Sequence, residues 1–215
     1  MQEPKITFGC GPDIERLYME DPGVSDLSKV EAQLRYHLAK LFAWGKVVLD
    51  VGFGCGYGSE MLGAVADKVV GVDYSREAVE HAKVKHAKPN VSFKVGDAIR
   101  LTEVLPRDEF DLAVAFELME HVTDPALFLE EVSQVLKPEG MLLLSVPYYH
   151  QTGRQEKIPG ASPYHLWTWE YNGLERLLSS VFPHVTIMIQ YSTGFFFTYP
   201  AGTSWIAFCH KETDT

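Results

Sequence analysis

Four glycines that alternate with other residues restrict the fold of this chain more than any other feature of its sequence. The apolar, β-branched run KVVLDV leads directly into Gly52, Gly54, Gly56 and Gly58. A short apolar run that ends in glycine is typical of a buried parallel strand. Glycine lets the backbone turn sharply and approach a ligand without an intervening Cβ. The sequence therefore predicts a strand, a ligand-binding loop and a helix in this order.

Strand and helix patterns continue to alternate along the chain. Further strands are predicted in KVVGVDYS, VSFKVGDA, EFDLAVAFE and LKPEGMLLLSVP, with Ser75 and Asp124 as N-caps of two intervening helices. The segments VTIMIQY and SWIAFCHK could pair antiparallel at the sheet edge. An earlier amphipathic helix, over 26–42, is expected to bury Val30, Leu34, Leu38 and Leu41. The alternation predicts an α/β fold, a doubly wound parallel sheet with helices on both faces.

The composition favours one domain in a reducing compartment. With 215 residues and 46% apolar content, the chain can build one sizeable core. A net charge of -10 disfavours nucleic acid and anionic membranes as partners. Three cysteines without a C-x-x-C pair indicate neither a disulfide framework nor a zinc knuckle. Because no signal-peptide pattern and no apolar span of membrane length occur, a soluble, cytoplasmic protein is expected.

Two acidic residues stand at the ends of the second and third predicted strands. Asp73 ends the second strand, and Asp97 follows the third within Gly96-Asp97-Ala98. The carboxyl ends of neighbouring parallel strands meet at one sheet edge, where a carboxylate can accept hydrogen bonds from ribose hydroxyls. The glycine loop and both acids together predict a nucleoside across this edge, although an aspartate before a helix also commonly serves as a cap.

These motifs, in this order, resemble those of one enzyme family. The segments VVLDVGFGCGYGSEML, GVDYS, GDA, FDLAVAFELMEHV and LKPEGMLLLSVP are similar to successive motifs of class I S-adenosylmethionine-dependent methyltransferases of the type 11 kind. The resemblance implies a Rossmann-like sheet of seven strands in the order 3-2-1-4-5-7-6, with the last strand antiparallel. It also implies S-adenosyl-L-methionine as methyl donor, with S-adenosyl-L-homocysteine as the product.

The resemblance assigns each part of the donor to positions of this chain. The methionine part is expected at Asp50, Gly52, Phe53, Gly54 and Gly56, the ribose and one adenine face at Asp73 and Tyr74, the adenine edge at Gly96, Asp97 and Ala98, and the sulfonium side at Phe116, Glu117 and Met119. For Phe116 and Met119, packing in the core is the alternative.

Histidines near the transferred methyl group are candidate general bases. Methyl transfer from a sulfonium depends mainly on alignment, but a hydroxyl acceptor must also lose a proton. Histidine titrates near neutral pH, which favours His121, beyond the fourth strand, and His165, before the aromatic helix, as catalytic residues. His150 is a third candidate, and structural hydrogen bonding is the alternative role. No metal is expected, because Phe116-Glu117 replaces the aspartate found in metal-dependent relatives such as catechol O-methyltransferase.

The organisation of the chain is expected to separate donor from acceptor. One domain, 1–215, would contain an N-terminal helical cover (1–45), a donor-binding core (46–147) and an acceptor loop, helix and edge strands (148–215). The last part is rich in aromatic residues and includes a long loop rich in glycine and proline, as binding loops often are. A small-molecule acceptor is therefore expected there.

Three functions remain open for the acceptor side. The first is an O-methyltransferase for a hydroxylated small molecule, including a sugar, because the phrases at 15–18, 34–37 and 163–170 loosely resemble small bacterial sugar- or glycan-associated methyltransferases. The second is an N-, C- or O-methyltransferase for an aromatic or apolar metabolite of the quinone or polyketide type. The third is a non-catalytic cofactor-binding interaction protein, which the intact glycine and acidic positions disfavour. No oligomeric state is predicted.

Overall fold

β-Branched and apolar runs form the strands of one central sheet. The computed structural model describes residues 23, 25–149, 153–154, 164–191, 194–196 and 202–211. In chain order, the strands of the sheet are β1 Val47–Val51, β2 Lys68–Asp73, β3 Val91–Val95, β4 Phe110–Phe116, β5 Leu136–Pro147, β8 His184–Tyr191, β9 Gly194–Phe196 and β10 Ser204–His210. A separate antiparallel pair consists of β6 Gly153–Arg154 and β7 Trp167–Thr168.

The strand order of the sheet is β3-β2-β1-β4-β5-β10-β8-β9. Strands β1 to β5 pair in parallel, whereas β10 runs antiparallel to both of its neighbours, β5 and β8. Without the short edge strand β9, which the sequence did not predict, this is the expected order of seven strands with the last one antiparallel. The predicted fold class is confirmed. The carboxyl ends of β1 to β4 therefore meet at one edge, the usual ligand side of such sheets.

Within the described residues, five α-helices and two short 3-10 helices precede or connect the strands. The α-helices are α1 Asp26–Ala43, α2 Tyr57–Gly63, α3 Arg76–Lys85, α4 Pro125–Val135 and α5 Tyr171–Ser179, and the 3-10 helices span Ala98–Glu103 and Met119–His121. Both predicted N-caps are confirmed, since Ser75 accepts a hydrogen bond from the backbone of α3 and Asp124 accepts two from the backbone of α4. Among the helices that the structure describes, none is long and apolar enough to span a membrane.

The sheet separates two apolar layers. Successive residues of β1 point to opposite faces, so that Val48 packs into the layer of α1, α2 and α3, while Leu49 packs into the layer of α4 and α5. Both side chains are fully buried. Helices on both faces of a mostly parallel sheet give the doubly wound architecture that the sequence predicts.

The buried face of α1 differs from the predicted stripe. Val30 is 44% exposed and Leu41 is 76% exposed. The helix instead buries Ala32, Arg35, Tyr36, Ala39 and Ala43. Small residues on this face let the helix approach the sheet closely and direct the arginine and the tyrosine towards the carboxyl edge of the strands.

Candidate functional site

A cavity of about 1000 Å³ lies at the carboxyl ends of β1 to β4. Its walls come from the glycine loop, the ends of β2, β3 and β4, helix α1 and the segment 164–166. Small-molecule sites usually measure about 300–1,000 Å³. The cavity is therefore large enough to hold a donor and part of an acceptor.

The glycine loop forms one wall of the cavity through Gly52 and Gly54. Their φ angles are 68° and 65°, a region in which side chains with a Cβ are strained. A Cβ added at Gly54 would meet no atom within 4 Å, so this part of the loop faces open space. Phe53, between the two glycines, also lines the cavity, and its ring packs against Phe93 at a centroid distance of 4.8 Å.

The next two glycines serve packing and do not line the cavity. Gly56 begins α2 with a φ of 95°, and a Cβ there would lie 2.8 Å from the Cβ of Ala82 on α3. A Cβ at Gly58 would lie 1.9 Å from the ring of Tyr36. Gly56, which is expected at the methionine part, therefore faces a helix in this structure.

Asp50 lies one layer behind the cavity. It is fully buried and accepts hydrogen bonds from Ser59 Oγ at 2.6 Å and from Tyr36 Oη at 3.2 Å. Burial in this apolar layer raises the pKa of the carboxyl to about 7, and the two hydrogen bonds only partly offset it. Asp50 was expected to line the methionine part. The structure shows it supporting Tyr36, which does line the cavity.

The two acids predicted to hold the nucleoside both line the cavity. Asp73 accepts hydrogen bonds from the backbone N–H groups of Gly54 at 3.1 Å and Ser75 at 2.9 Å. Both carboxylate oxygens of Asp73 therefore accept a backbone hydrogen bond. Asp97 accepts a hydrogen bond from Ile99 N at 3.1 Å and caps the following 3-10 helix. The cavity wall between them contains Tyr74, Gly96 and Ala98.

The end of β4 contributes two of its three predicted residues. Phe116 and Glu117 line the cavity, and the ring of Phe116 meets that of Tyr36 edge-on at 5.0 Å. Glu117 has a φ of 50° and accepts a hydrogen bond from Ser145 Oγ at 2.6 Å. Met119 is fully buried in the core beneath the turn. Met119 therefore packs in the core, which is the alternative predicted for it from the sequence.

Sequence reasoning missed the polar residues that α1 contributes. Arg35 is 8% exposed, lines the cavity and donates to Gln190 Oε1 at 2.9 Å. Its guanidinium also lies 3.8 Å from Glu117 Oε1. A second stripe of α1 has helical spacing and small residues, and this pattern could have predicted the buried face. It consists of Ala32, Arg35, Tyr36, Ala39 and Ala43.

The two candidate histidines lie side by side in the cavity wall. The centroids of His121 and His165 are 4.9 Å apart, and the rings meet at 81°. His121 Nδ1 lies 2.9 Å from the backbone oxygen of Tyr164, and His165 Nδ1 lies 3.3 Å from Tyr149 Oη. The third candidate, His150, falls outside the described residues. Beside the pair lies Glu120, 1% exposed, which the sequence analysis did not select.

Known proteins resemble the core of this chain. Residues 49–144 match the family described as methyltransferase domain. The chain is similar to a probable S-adenosylmethionine-dependent methyltransferase of Mycolicibacterium smegmatis, at 37% identity over 48% of this chain and 38% of the relative. It is also similar to a ubiquinone biosynthesis O-methyltransferase of Bradyrhizobium diazoefficiens, at 35% identity over 47% of this chain and 40% of the relative. The match thus spans about 40% of the length of these curated relatives.

Solved structures share the fold over most of the chain. A possible histamine N-methyltransferase from Thermotoga maritima has a TM-score of 0.66 and 17% identity, over 86% of this chain and 92% of its own. A [4+2]-cyclase has a TM-score of 0.68 and 18% identity, over 93% of this chain and 88% of its own. Identities this low show the fold alone. The family match over residues 49–144, the motifs and the strand order make this part of the chain similar to class I S-adenosylmethionine-dependent methyltransferases.

Proposed function

We propose that the chain binds S-adenosylmethionine and transfers its methyl group to a hydroxyl of a small-molecule acceptor. One observation carries this proposal: a single cavity contains both the acidic edge suited to a nucleoside and the paired histidines. The donor methyl group and the acceptor could therefore bind next to each other in the same cavity. Residues 46–147 would bind the donor, with the segments on either side covering it.

The cavity wall fits the donor at its two ends. Asp73 would accept the ribose hydroxyls, with Tyr74 against one face of the adenine. Asp97 would accept from the adenine amino group. Gly52 and Gly54 would hold the methionine part. The space beside Gly54 is open, so a ligand can approach the loop backbone there. When bound, the donor supplies the methyl group together with its own leaving group.

The protein then has to align the acceptor, exclude water and accept a proton. For a hydroxyl acceptor, the C–S bond of the donor breaks, a C–O bond forms and the hydroxyl proton is released. His121 and His165 are the proposed groups that serve the acceptor oxygen. A backbone carbonyl can only accept, so His121 Nδ1 must carry a hydrogen, and Nε2 is the ring nitrogen that would accept the proton.

The first test is donor binding, which requires no acceptor. We expect Asp73→Ala to weaken S-adenosylmethionine binding about 10–100-fold by calorimetry, since hydrogen bonds to a charged group contribute about 1.5–3 kcal/mol. Asp97→Ala provides a second variant, because Asp73 also supports the loop backbone. Asp67→Ala, at an exposed site away from the cavity, is the control. Unchanged affinity in both cavity variants would refute the placement of the nucleoside.

The acceptor class needs a direct assay. A labelled-methyl transfer screen over nucleotide sugars, phenols and amines, with the product located by mass spectrometry, would identify the acceptor and the atom methylated. Label on a hydroxyl oxygen supports the proposal. Transfer only to nitrogen or carbon, or no transfer to any acceptor by a protein that binds the donor, counts against it.

A second candidate is methylation of an aromatic or apolar metabolite. One observation favours it, namely the similarity to a ubiquinone biosynthesis O-methyltransferase over the core. Phe116 and Tyr36 also present apolar rings to the cavity, as a flat acceptor would need. The phenols in the screen distinguish this candidate from the sugar-directed one.

A further inference from the structure

Three backbone and side-chain contacts hold the histidine pair in a fixed place. Leu166 N donates to the backbone oxygen of Glu120 at 2.7 Å, and the indole N–H of Trp167 donates to the backbone oxygen of Val122 at 3.0 Å. His121 itself contacts the backbone of the same distant segment at Tyr164. His165 is thereby brought against the 3-10 helix that contains Glu120 and His121. The three side chains form one cluster.

The orientation of the His121 ring places its Nε2 atom near the carboxylate of Glu120. Nδ1 donates to the carbonyl of Tyr164, and Nε2 lies 3.8 Å from Glu120 Oε1. In a neutral imidazole with this tautomer, Nε2 carries a lone pair, which would repel a carboxylate. The two groups are compatible when a positive charge lies between them, either a proton on Nε2 or a cation. Metal-binding histidines commonly donate their second ring N–H to a carbonyl in the same way.

The geometry points to a metal ion as that charge. Glu120, His121 and His165 each offer one ligand atom, and these atoms all lie within 4.8 Å of one another. Zinc ligands at bond lengths of about 2.0–2.2 Å lie about 3.4 Å apart in a tetrahedral site, so the side chains would draw together on binding. Glu120 is 1% exposed and His165 is 8% exposed.

We propose that Glu120, His121 and His165 form a binding site for one divalent transition-metal ion of the zinc class. Two imidazoles and one carboxylate suit such ions, whereas magnesium prefers oxygen ligands. The sequence predicts no metal, because the end of β4 lacks the aspartate of metal-dependent relatives and His165 lies far away in the chain. Three protein ligands leave a coordination position open, as in catalytic zinc sites.

The open position would face the acceptor, because all three ligands line the cavity. An acceptor hydroxyl bound there would lose its proton more readily, since a zinc-type ion lowers the pKa of a bound oxygen. With His121 and His165 bound to the ion, the released proton would pass to solvent instead of to a histidine. This role rests on the proposed function, whereas metal binding itself does not.

Binding of zinc sulfate to chelator-treated protein tests the site without any acceptor. Calorimetry and competition with a chromogenic chelator should show one ion per chain, and Co²⁺ should give the absorption of a four- or five-coordinate site. Magnesium chloride should bind much more weakly. We expect Glu120→Gln and His165→Ala each to lower zinc affinity about 10–100-fold or more, because even outer-shell changes do so. His210→Ala, at an exposed position on β10, should bind zinc like the unmodified chain.

Two results would overturn the proposal. One is the absence of saturable zinc binding at one ion per chain in protein with an unchanged near-ultraviolet circular dichroism spectrum. The other is equal zinc affinity in the control and in both cluster variants. In either case, donor binding and its dependence on Asp73 would still decide whether the proposed function stands, and the cluster would be assigned to proton transfer alone.

Discussion

Replacing Asp50 with asparagine should change how the stability of the protein depends on pH. The carboxyl is fully buried, and its pKa lies at about 7 instead of its ordinary 3.8. Between these two values the folded chain holds a proton on Asp50 that the unfolded chain has released. The free energy of unfolding therefore falls by about 1.4 kcal/mol per pH unit from this group. Between pH 3.8 and about 7, the free energy of unfolding falls by about 4 kcal/mol in total because of this group.

The raised pKa sets the direction of the effect. The contribution of Asp50 is fully present below the unfolded pKa and is lost as the pH rises through the folded value near 7. Asparagine keeps the shape and an oxygen that can accept from Ser59 and Tyr36, but it does not titrate. The difference in stability, Asp50→Asn minus the unmodified chain, should therefore rise with pH and level off above about 7.

Urea unfolding, followed by tryptophan fluorescence between about pH 5 and pH 8, measures this difference directly. Asp67→Asn, at an exposed position, is the matched control and should run parallel to the unmodified chain. A difference for Asp50→Asn that stays flat, or that falls with pH, would refute the reasoning. It would mean that Tyr36 and Ser59 keep the buried carboxylate ionised throughout.

Two further predictions concern packing and capping. Gly58→Ala should lower the free energy of unfolding by about 1–3 kcal/mol, measured by urea titration, because the added Cβ would lie 1.9 Å from the Tyr36 ring. If Gly58→Ala combined with Tyr36→Leu costs as much as the sum of both single variants, the clash is not the cause. Asp124→Ala should cost about 1 kcal/mol through loss of the N-cap of α4. Exposed Glu130→Ala serves as its control, and an equal effect would contradict the capping role.

The parts of the fold that depend on local pattern were predictable. Buried strands, the glycine turn and the caps at Ser75 and Asp124 each follow from a few adjacent residues, and the strand order followed from the family resemblance. Asp73 and Asp97 both line the cavity, because Asp73 ends β2 and Asp97 lies two residues beyond β3, as the sequence pattern predicts. The sequence patterns of these strands, turns and caps do not depend on which other segments pack against them.

The errors arose where contacts between distant segments decide the outcome. Helix α1 has apolar residues on two faces, and its close approach to Gly58 selects the face that contains Tyr36. Tyr36 on this face also donates to Asp50, which lies behind the cavity wall. The pairing of His121 with His165 depends on the backbone contact between Leu166 and Glu120, which no sequence pattern encodes.

The anchoring of residues 164–169 also affects how this protein can diverge. Leu166 donates its backbone N–H to Glu120 O, and Tyr148 bridges to Trp169 and donates its backbone N–H to Thr203 O. Backbone hydrogen bonds do not depend on side-chain identity. Substitutions of the exposed Leu166 side chain should therefore leave the bond to Glu120, and with it the position of His165, unchanged. The histidine pair can persist in relatives whose neighbouring side chains differ.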